Sequence, residues 1–350
     1  MKAALLVATN EPLVVQEVPD PELSNDGVII HIEACGICRT DWHLWKGHWD
    51  WIGVQSRFPL ILGHEMAGTI VAVGPNTKRF AVGERVLAPF HYSCGLCDRC
   101  QAGLQNLCLD PMFPGSNIDG GFGELVSVPH ADVNLLHLPD NIESATASAL
   151  GCRFMTAFHA VVELGSIRPG ETIAIFGCGG VGLSAVMLAA AAGATVIAVD
   201  IDAAKLEKAK SIGASFTVDA SDGDASEAVR EITHGGANVA VDALGIESTV
   251  VGGIRSLAAR GRHIQVGLST AAERGMVAIP TDLIVAKELQ ILGSHGMPRP
   301  RYAELIAMVA AGTVRPDLLI GQRLPIEDVT DVLDSMTSFE NQGFSVITSW

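Results

Sequence analysis

The chain has 350 residues, enough for two domains with cores of their own, and its 48% hydrophobic and 18% charged residues exclude a disordered protein. A formal net charge of −16 excludes an electrostatic grip on nucleic-acid phosphates or on an anionic membrane surface, since both need clustered Lys and Arg. Any nucleotide bound here must be held by local contacts.

The opening residues, Met1-Lys2-Ala3-Ala4-Leu5, run into strand-like sequence without an apolar leader, so a cytoplasmic protein is expected. In a reducing compartment the eight cysteines read as metal ligands before they read as disulfides. From Met1 to about Cys152 short strand patterns, such as Gly27 to His31 and Gly68 to Gly74, alternate with Gly, Pro, Asn and Asp. This predicts a β-rich, barrel-like region. Cys35-Gly36-Ile37-Cys38-Arg39-Thr40-Asp41-Trp42-His43 comes first among its motifs, then Gly63-His64-Glu65, then Cys94, Cys97, Cys100 and Cys108, and finally Gly151-Cys152-Arg153. The four closely spaced cysteines can converge on one tetrahedral ion, and they read as a structural zinc site. Cys38, His64 and Cys152 would form a Cys₂His set with an open fourth position, but spacing alone does not assign ligands so far apart to one site. Cys35 and Cys38 also have the spacing of a redox pair. Trp42, Trp45, Trp49 and Trp51 are core aromatics by default.

After Pro169-Gly170 the rhythm becomes strand and helix in alternation. Strands are expected near Thr172, Thr195, Ser215, Asn238, Arg262 and Leu289, and helices over Ala203 to Ile212 and Glu247 to Leu257, which together imply a doubly wound parallel sheet. The charge-free run from Thr172 to Val199 is too interrupted by glycine for a membrane span and fits buried parallel strands. Gly177-Cys178-Gly179-Gly180-Val181-Gly182 follows the first of these strands and opens a helix. Asp200 closes the next strand at close to the ~20-residue separation of a dinucleotide site. Gly177 permits the tight turn, Gly179 lets backbone approach a pyrophosphate, and Gly182 lets helix and strand pack closely. Asp200 would accept hydrogen bonds from the adenosine ribose and repel a 2′-phosphate, favouring NAD over NADP, with Lys205 within reach of the ribose. Cys178 reads as a small filler in the turn. A helix over Arg301 to Ala311 and a strand over Gly343 to Thr348 end the chain.

These motifs, in this order and over essentially the whole chain, resemble the zinc-dependent medium-chain alcohol dehydrogenases. The resemblance implies a β-rich, GroES-like catalytic domain over residues 1–153, a Rossmann coenzyme domain over 154–294, and a C-terminal segment, 295–350, that returns to the catalytic domain. It implies two zinc ions per subunit: a catalytic one on Cys38, His64 and Cys152, and a structural one on Cys94, Cys97, Cys100 and Cys108. The catalytic ion would act as a Lewis acid on the alcohol that NAD oxidises to an aldehyde or ketone. Asp41 resembles the carboxylate that orients the ligand histidine, and Glu65 a further carboxylate near the metal. Thr40 and His43 would carry the alcohol proton toward solvent. Arg39 matches a pyrophosphate contact, and Gly180 and Val181 complete the cofactor turn. Thr156 would lie beside the nicotinamide, while Trp49 and Phe90 would line a narrow substrate pocket. Family members form dimers and tetramers, so a homo-oligomer is expected.

Two rival functions fit parts of the same pattern. A polyol or sugar dehydrogenase of the same superfamily is the nearer one, although such enzymes often carry Glu where Cys152 stands. The other is a non-catalytic, NAD-binding zinc protein, against which the Thr40 and His43 pair argues. Gly343-Phe344-Ser345 lacks an arginine that some relatives use near the cofactor phosphates; Arg299 is the candidate substitute.

Overall fold

Each strand expected after Pro169 is present in the computed structural model, which describes residues 1–50, 57–269, 273–338 and 343–350. Thr172–Phe176, Thr195–Asp200, Phe216–Asp219, Ala237–Asp242, Leu257–Gln265 and Gln290–Gly293 form one parallel sheet. Their spatial order is third, second, first, fourth, fifth, sixth. The order reverses beside Thr172–Phe176, which is where doubly wound sheets open a ligand crevice at the carboxyl ends of their strands. Ile173, Ala174, Ile175, Val196, Ile197 and Ala198 are fully buried, so the two strands of the charge-free run are sheet interior. Among the described residues no helix is long and apolar enough to cross a membrane.

Helices Gly180–Ala191, Ala203–Ser211, Ala225–Thr233 and Glu247–Arg255 fill the connections. Asp202 caps the second of these by accepting from the N–H groups of Ala204 (2.8 Å) and Lys205 (3.3 Å), and Lys208 and Lys210 suit the negative end of its dipole. The helix expected to reach Leu257 stops at Arg255, and the strand expected near Arg262 begins at Leu257. Leu257 pairs with Ala237 and is fully buried, so tertiary pairing overrides the local helical pattern.

Contacts group the chain into two units: Met1–Met155 with Gly296–Gly312 and Pro316–Trp350, and Thr156–His295 with Thr313–Arg315. The first is β-rich. Lys2–Leu6 lies between Val14–Glu17 and Leu60–Ile61 in a small antiparallel sheet. A larger sheet runs Ile320–Pro325, Phe344–Ser349, Val28–Ile37, Glu65–Val73, Arg85–Ala88, Leu136–His137, with Leu125–Val128 also paired to Val28–Ile37. Two details of its register place the chemistry: Gly36 stands opposite Glu65, and Val346 stands opposite Gly36. The central strand therefore delivers Cys38 just beyond its end, next to the start of the strand that follows His64.

Candidate active site

The four-cysteine loop gathers as its spacing predicts. Sulfur separations are 3.5 Å for Cys97 and Cys100, 3.9 Å for Cys97 and Cys108, and 3.6 Å for Cys94 and Cys108. A tetrahedral ion with zinc–sulfur bonds of about 2.3 Å places its sulfurs about 3.8 Å apart, whereas a disulfide needs about 2.05 Å. Backbone N–H groups point at the sulfurs: Leu96 (3.5 Å) and Cys97 (3.4 Å) donate to Cys94, while Cys94 (3.3 Å) and Asp110 (3.4 Å) donate to Cys108. N–H groups of Leu109 and Cys100 pull the Cys97 thiol down to about 6. Burial pushes Cys100 up to about 12, with help from Cys97.

A second cluster joins Cys38, His64, Glu65 and Cys152, whose donor atoms all lie within 4.8 Å of one another. Cys38 is the N-cap of helix Arg39–Trp45, and Asp41 in that helix's first turn reaches back to accept its backbone N–H at 2.8 Å. The same carboxylate accepts from Gly63 N–H and from His64 Nδ1, each at 3.1 Å. Nδ1 thus carries the proton, and Nε2 keeps its lone pair. That Nε2 is buried and has no hydrogen-bond partner. A buried polar atom left bare is costly, and two sulfurs beside it make a divalent ion the fitting occupant. Gly63 makes the turn into His64 with φ of +97°, where any Cβ would press on Phe122.

The Cys38 and Cys152 sulfurs are 4.0 Å apart. Contact with Cys152 and the nearby His64 hold the Cys38 thiol well below its ordinary value, against burial, while the same contact and burial raise Cys152. Burial opposes a charge on His64, but Asp41 and the Cys38 sulfur outweigh it and favour a positive charge there, which an ion on Nε2 would supply in place of a second proton. Glu65 meets Arg153 head-on, with Arg153 Nε 2.9 Å from Oε1 and Nη2 on Oε2. Cys35, by contrast, is buried with its thiol toward the Gly36 carbonyl, outside both clusters.

In the other unit the glycine turn has the geometry its sequence requires. Gly177 has φ of +94°, and a Cβ on Gly182 would collide with the Gly177 carbonyl, whereas one on Gly179 would meet nothing within 4 Å. The exposed Gly179 therefore leaves the helix N-terminus open to an anion. Gly180 and Val181 form its first turn, half-buried. Asp200 is fixed by backbone N–H groups of Cys178 (2.6 Å), Ile201 (2.8 Å) and Asp202 (3.0 Å). Cys178 itself is buried, its thiol raised to beyond the ordinary range by burial. Lys205 sits 3.6 Å from Asp202, and Thr156 is buried.

Residues 24–140 match the family model for the alcohol dehydrogenase GroES-like domain, and 180–311 that for zinc-binding dehydrogenases. The chain is 35% identical over 348 residues to an alcohol dehydrogenase of Geobacillus stearothermophilus, covering 99% of both chains. It is 33% identical to a sorbitol dehydrogenase of Bacillus subtilis, covering 99% of this chain and 96% of that one. Among solved structures it is similar to alcohol dehydrogenase TADH from Thermus sp. ATN1, with a TM-score of 0.93 and 27% identity over all of both chains. The chain belongs to the zinc-dependent medium-chain alcohol dehydrogenases. It has that family's two-part architecture of a GroES-like β domain and a doubly wound sheet, and it is an oxidoreductase.

Three of the remaining candidate residues of this dehydrogenase, Arg39, Thr40 and His43, lie on the Cys38 helix. Thr40 is half-buried in its first turn. His43 touches His48 through Nδ1 atoms 3.2 Å apart and stacks on Trp49 at 5.0 Å. Burial and then Arg39 push His43 down to about 4. Arg39 donates to the Met336 carbonyl and lies over Trp42, 3.6 Å from the ring centre. Phe90 presents an edge to His64, centroids 6.3 Å apart. Arg299, the proposed substitute for a missing arginine, donates to the Leu135 carbonyl at 2.9 Å. Trp51 lies outside the described residues. The sequence reading assigned no role to Arg153 or His48. The signal for Arg153 was an arginine directly after Cys152 in the otherwise apolar stretch Leu150 to Met155.

Proposed function

We propose that this chain is an NAD-dependent, zinc-containing alcohol dehydrogenase that reversibly oxidises a small primary or secondary alcohol to the aldehyde or ketone. The observation that carries this reading is the bare, buried Nε2 of His64, held by Asp41 toward the Cys38 and Cys152 sulfurs. These three residues would hold the catalytic zinc, and Cys94, Cys97, Cys100 and Cys108 a structural one. The catalytic ion supplies Lewis acidity toward the substrate oxygen. Thr40 would take up the alcohol proton and His43, neutral at pH 7, would pass it outward. Trp49 and Phe90 would restrict the substrate to slender shapes. Gly177, Gly179 and Gly182 would admit the pyrophosphate, with Arg39 as a further phosphate contact and Thr156 beside the nicotinamide, while Asp200 would take the ribose hydroxyls. Residues 1–153 and 295–350 would then be the catalytic part and 154–294 the coenzyme part of a cytoplasmic homodimer or homotetramer.

Purified protein of measured zinc content, assayed with ethanol, benzyl alcohol, 2-propanol and sorbitol, tests the reading. NADH formation from the simple alcohols is expected, with NAD favoured over NADP by roughly tenfold or more through Asp200. Turnover of sorbitol alone would assign a polyol dehydrogenase instead. No turnover of any alcohol with both zinc sites filled would leave a non-catalytic NAD-binding protein.

A further inference from the structure

We propose that Arg153 keeps the Cys38, His64 and Cys152 site open, by gripping the Glu65 carboxylate with two prongs and so withholding it from the metal. This rests on the ligand assignment proposed above. The cluster offers four donors within mutual reach, and the fourth is a carboxylate. Four protein ligands close a zinc tetrahedron, whereas a catalytic site keeps three and leaves a position for substrate. What else holds Glu65 therefore decides which kind of site this is.

Arg153 takes both Glu65 oxygens, one through Nε and one through Nη2, and both side chains are buried, at 6% and 0% exposure. The surroundings are shaped around the pair. At Gly36, opposite Glu65 in the sheet, any Cβ would collide with Oε2 and crowd Nη2. The Phe344 ring lies under the guanidinium, 3.8 Å from its carbon. Phe344 opens the C-terminal strand of the same sheet, in the segment that lacks the arginine some relatives use near the cofactor phosphates. Each partner also follows a ligand directly: Glu65 comes after His64 and Arg153 after Cys152. A planar fork is the chemistry that can occupy two carboxylate oxygens at once; an ammonium group cannot match it. Arg153 is thus a positioning residue that acts through Glu65.

Cobalt(II) in place of zinc makes the site visible, and the cobalt bands lost in Cys38→Ala identify it. Imidazole then serves as the probe for the open position. Arg153→Met is expected to bind imidazole at least about tenfold more weakly, the scale on which groups around metal ligands act. Glu65→Gln/Arg153→Met removes the competing carboxylate without leaving a buried charge unpaired, and is expected to recover affinity to within about threefold of the unsubstituted protein. A merely structural ion pair would lower stability in both variants and change imidazole binding in neither. Unchanged binding in Arg153→Met, or a double variant as weak as the single, overturns the proposal. If Arg153→Met does not fold, Arg153→Lys decides by the same titration, weaker binding supporting the grip and unchanged binding overturning it. Absence of cobalt from the Cys38 site in the unsubstituted protein would overturn the function reading and this proposal together, whereas the outcomes above overturn the grip alone.

Discussion

The loop from Cys94 to Cys108 and the cluster around His64 both gather sulfur, but they are built in opposite ways. The loop is contiguous, half-exposed and all thiol, and its sulfurs are oriented by backbone N–H groups of the loop itself. Closing so short a segment costs little chain entropy, and little outside it is needed. The His64 cluster draws ligand candidates from three distant segments, mixes sulfur with imidazole, and is oriented by the Asp41 carboxylate within a buried setting. It exists only if the surrounding sheet folds in register. The difference teaches that a cage which satisfies itself suits stability, while a site that leaves an atom bare and crowds charges together suits chemistry.

Paired substitutions sharpen this contrast most. Cys38→Ala is expected to lower alcohol turnover by roughly a thousandfold or more, with NAD affinity within about threefold of the unsubstituted protein, because the glycine turn is untouched. Cys100→Ala should instead lower the melting temperature by roughly 5 °C or more, through lost metal-linked folding energy, while kcat per folded molecule stays within about threefold. Turnover assays, cofactor titration and calorimetry on both proteins would settle it. A reversed pattern would mean that the two clusters have been assigned the wrong way round.

A gentler variant separates the clusters by how their ligands are held. Asp41 accepts three N–H groups, from Cys38, Gly63 and His64, and an amide in its place turns a donor toward at least one of them. Asp41→Asn is expected to weaken metal binding at the His64 cluster about 10- to 100-fold, as judged by competition with a chelator, and to leave the loop's metal in place. Equal retention of both metals would show that the Asp41 network does not orient His64.

Local patterns were legible because they carry their own geometry. The four-cysteine spacing, the glycine turn with Asp200, and the apolar runs of the parallel sheet each announce a structure within a few residues. Convergence is another matter. Nothing in the spacing brings Cys38, His64 and Cys152 together; the resemblance supplied that expectation, and the register of Gly36 against Glu65 supplies the physical reason they meet. The Glu65 and Arg153 pair and the His43 contact with His48 escaped notice for the same cause, since both depend on which side chains a folded sheet or helix turn presents to each other. The early start of the Leu257 strand is the fold-level counterpart, a boundary moved by pairing with Ala237.

The smallest expected effect concerns protons near the His64 cluster. Burial, then Arg39 and His48, hold His43 at about 4, against a weaker opposing pull from Cys38; in the unfolded chain it titrates near the usual ~6.5. Between those values the unfolded chain takes a proton that the folded one refuses, so stability falls as pH drops from about 6.5 toward 4 and is unaffected by this group at higher pH. The loss is on the order of 2 kcal/mol at pH 5, or a few degrees in melting temperature. His48 is lowered too, by burial and then by Arg39 and Lys46, so it adds to the trend. Calorimetric scans of the unsubstituted protein and of His43→Gln between pH 7 and 5 isolate the contribution. The variant should lose less stability on acidification. Parallel curves would mean that the imidazole is not shielded as its stacking on Trp49 and contact with His48 require.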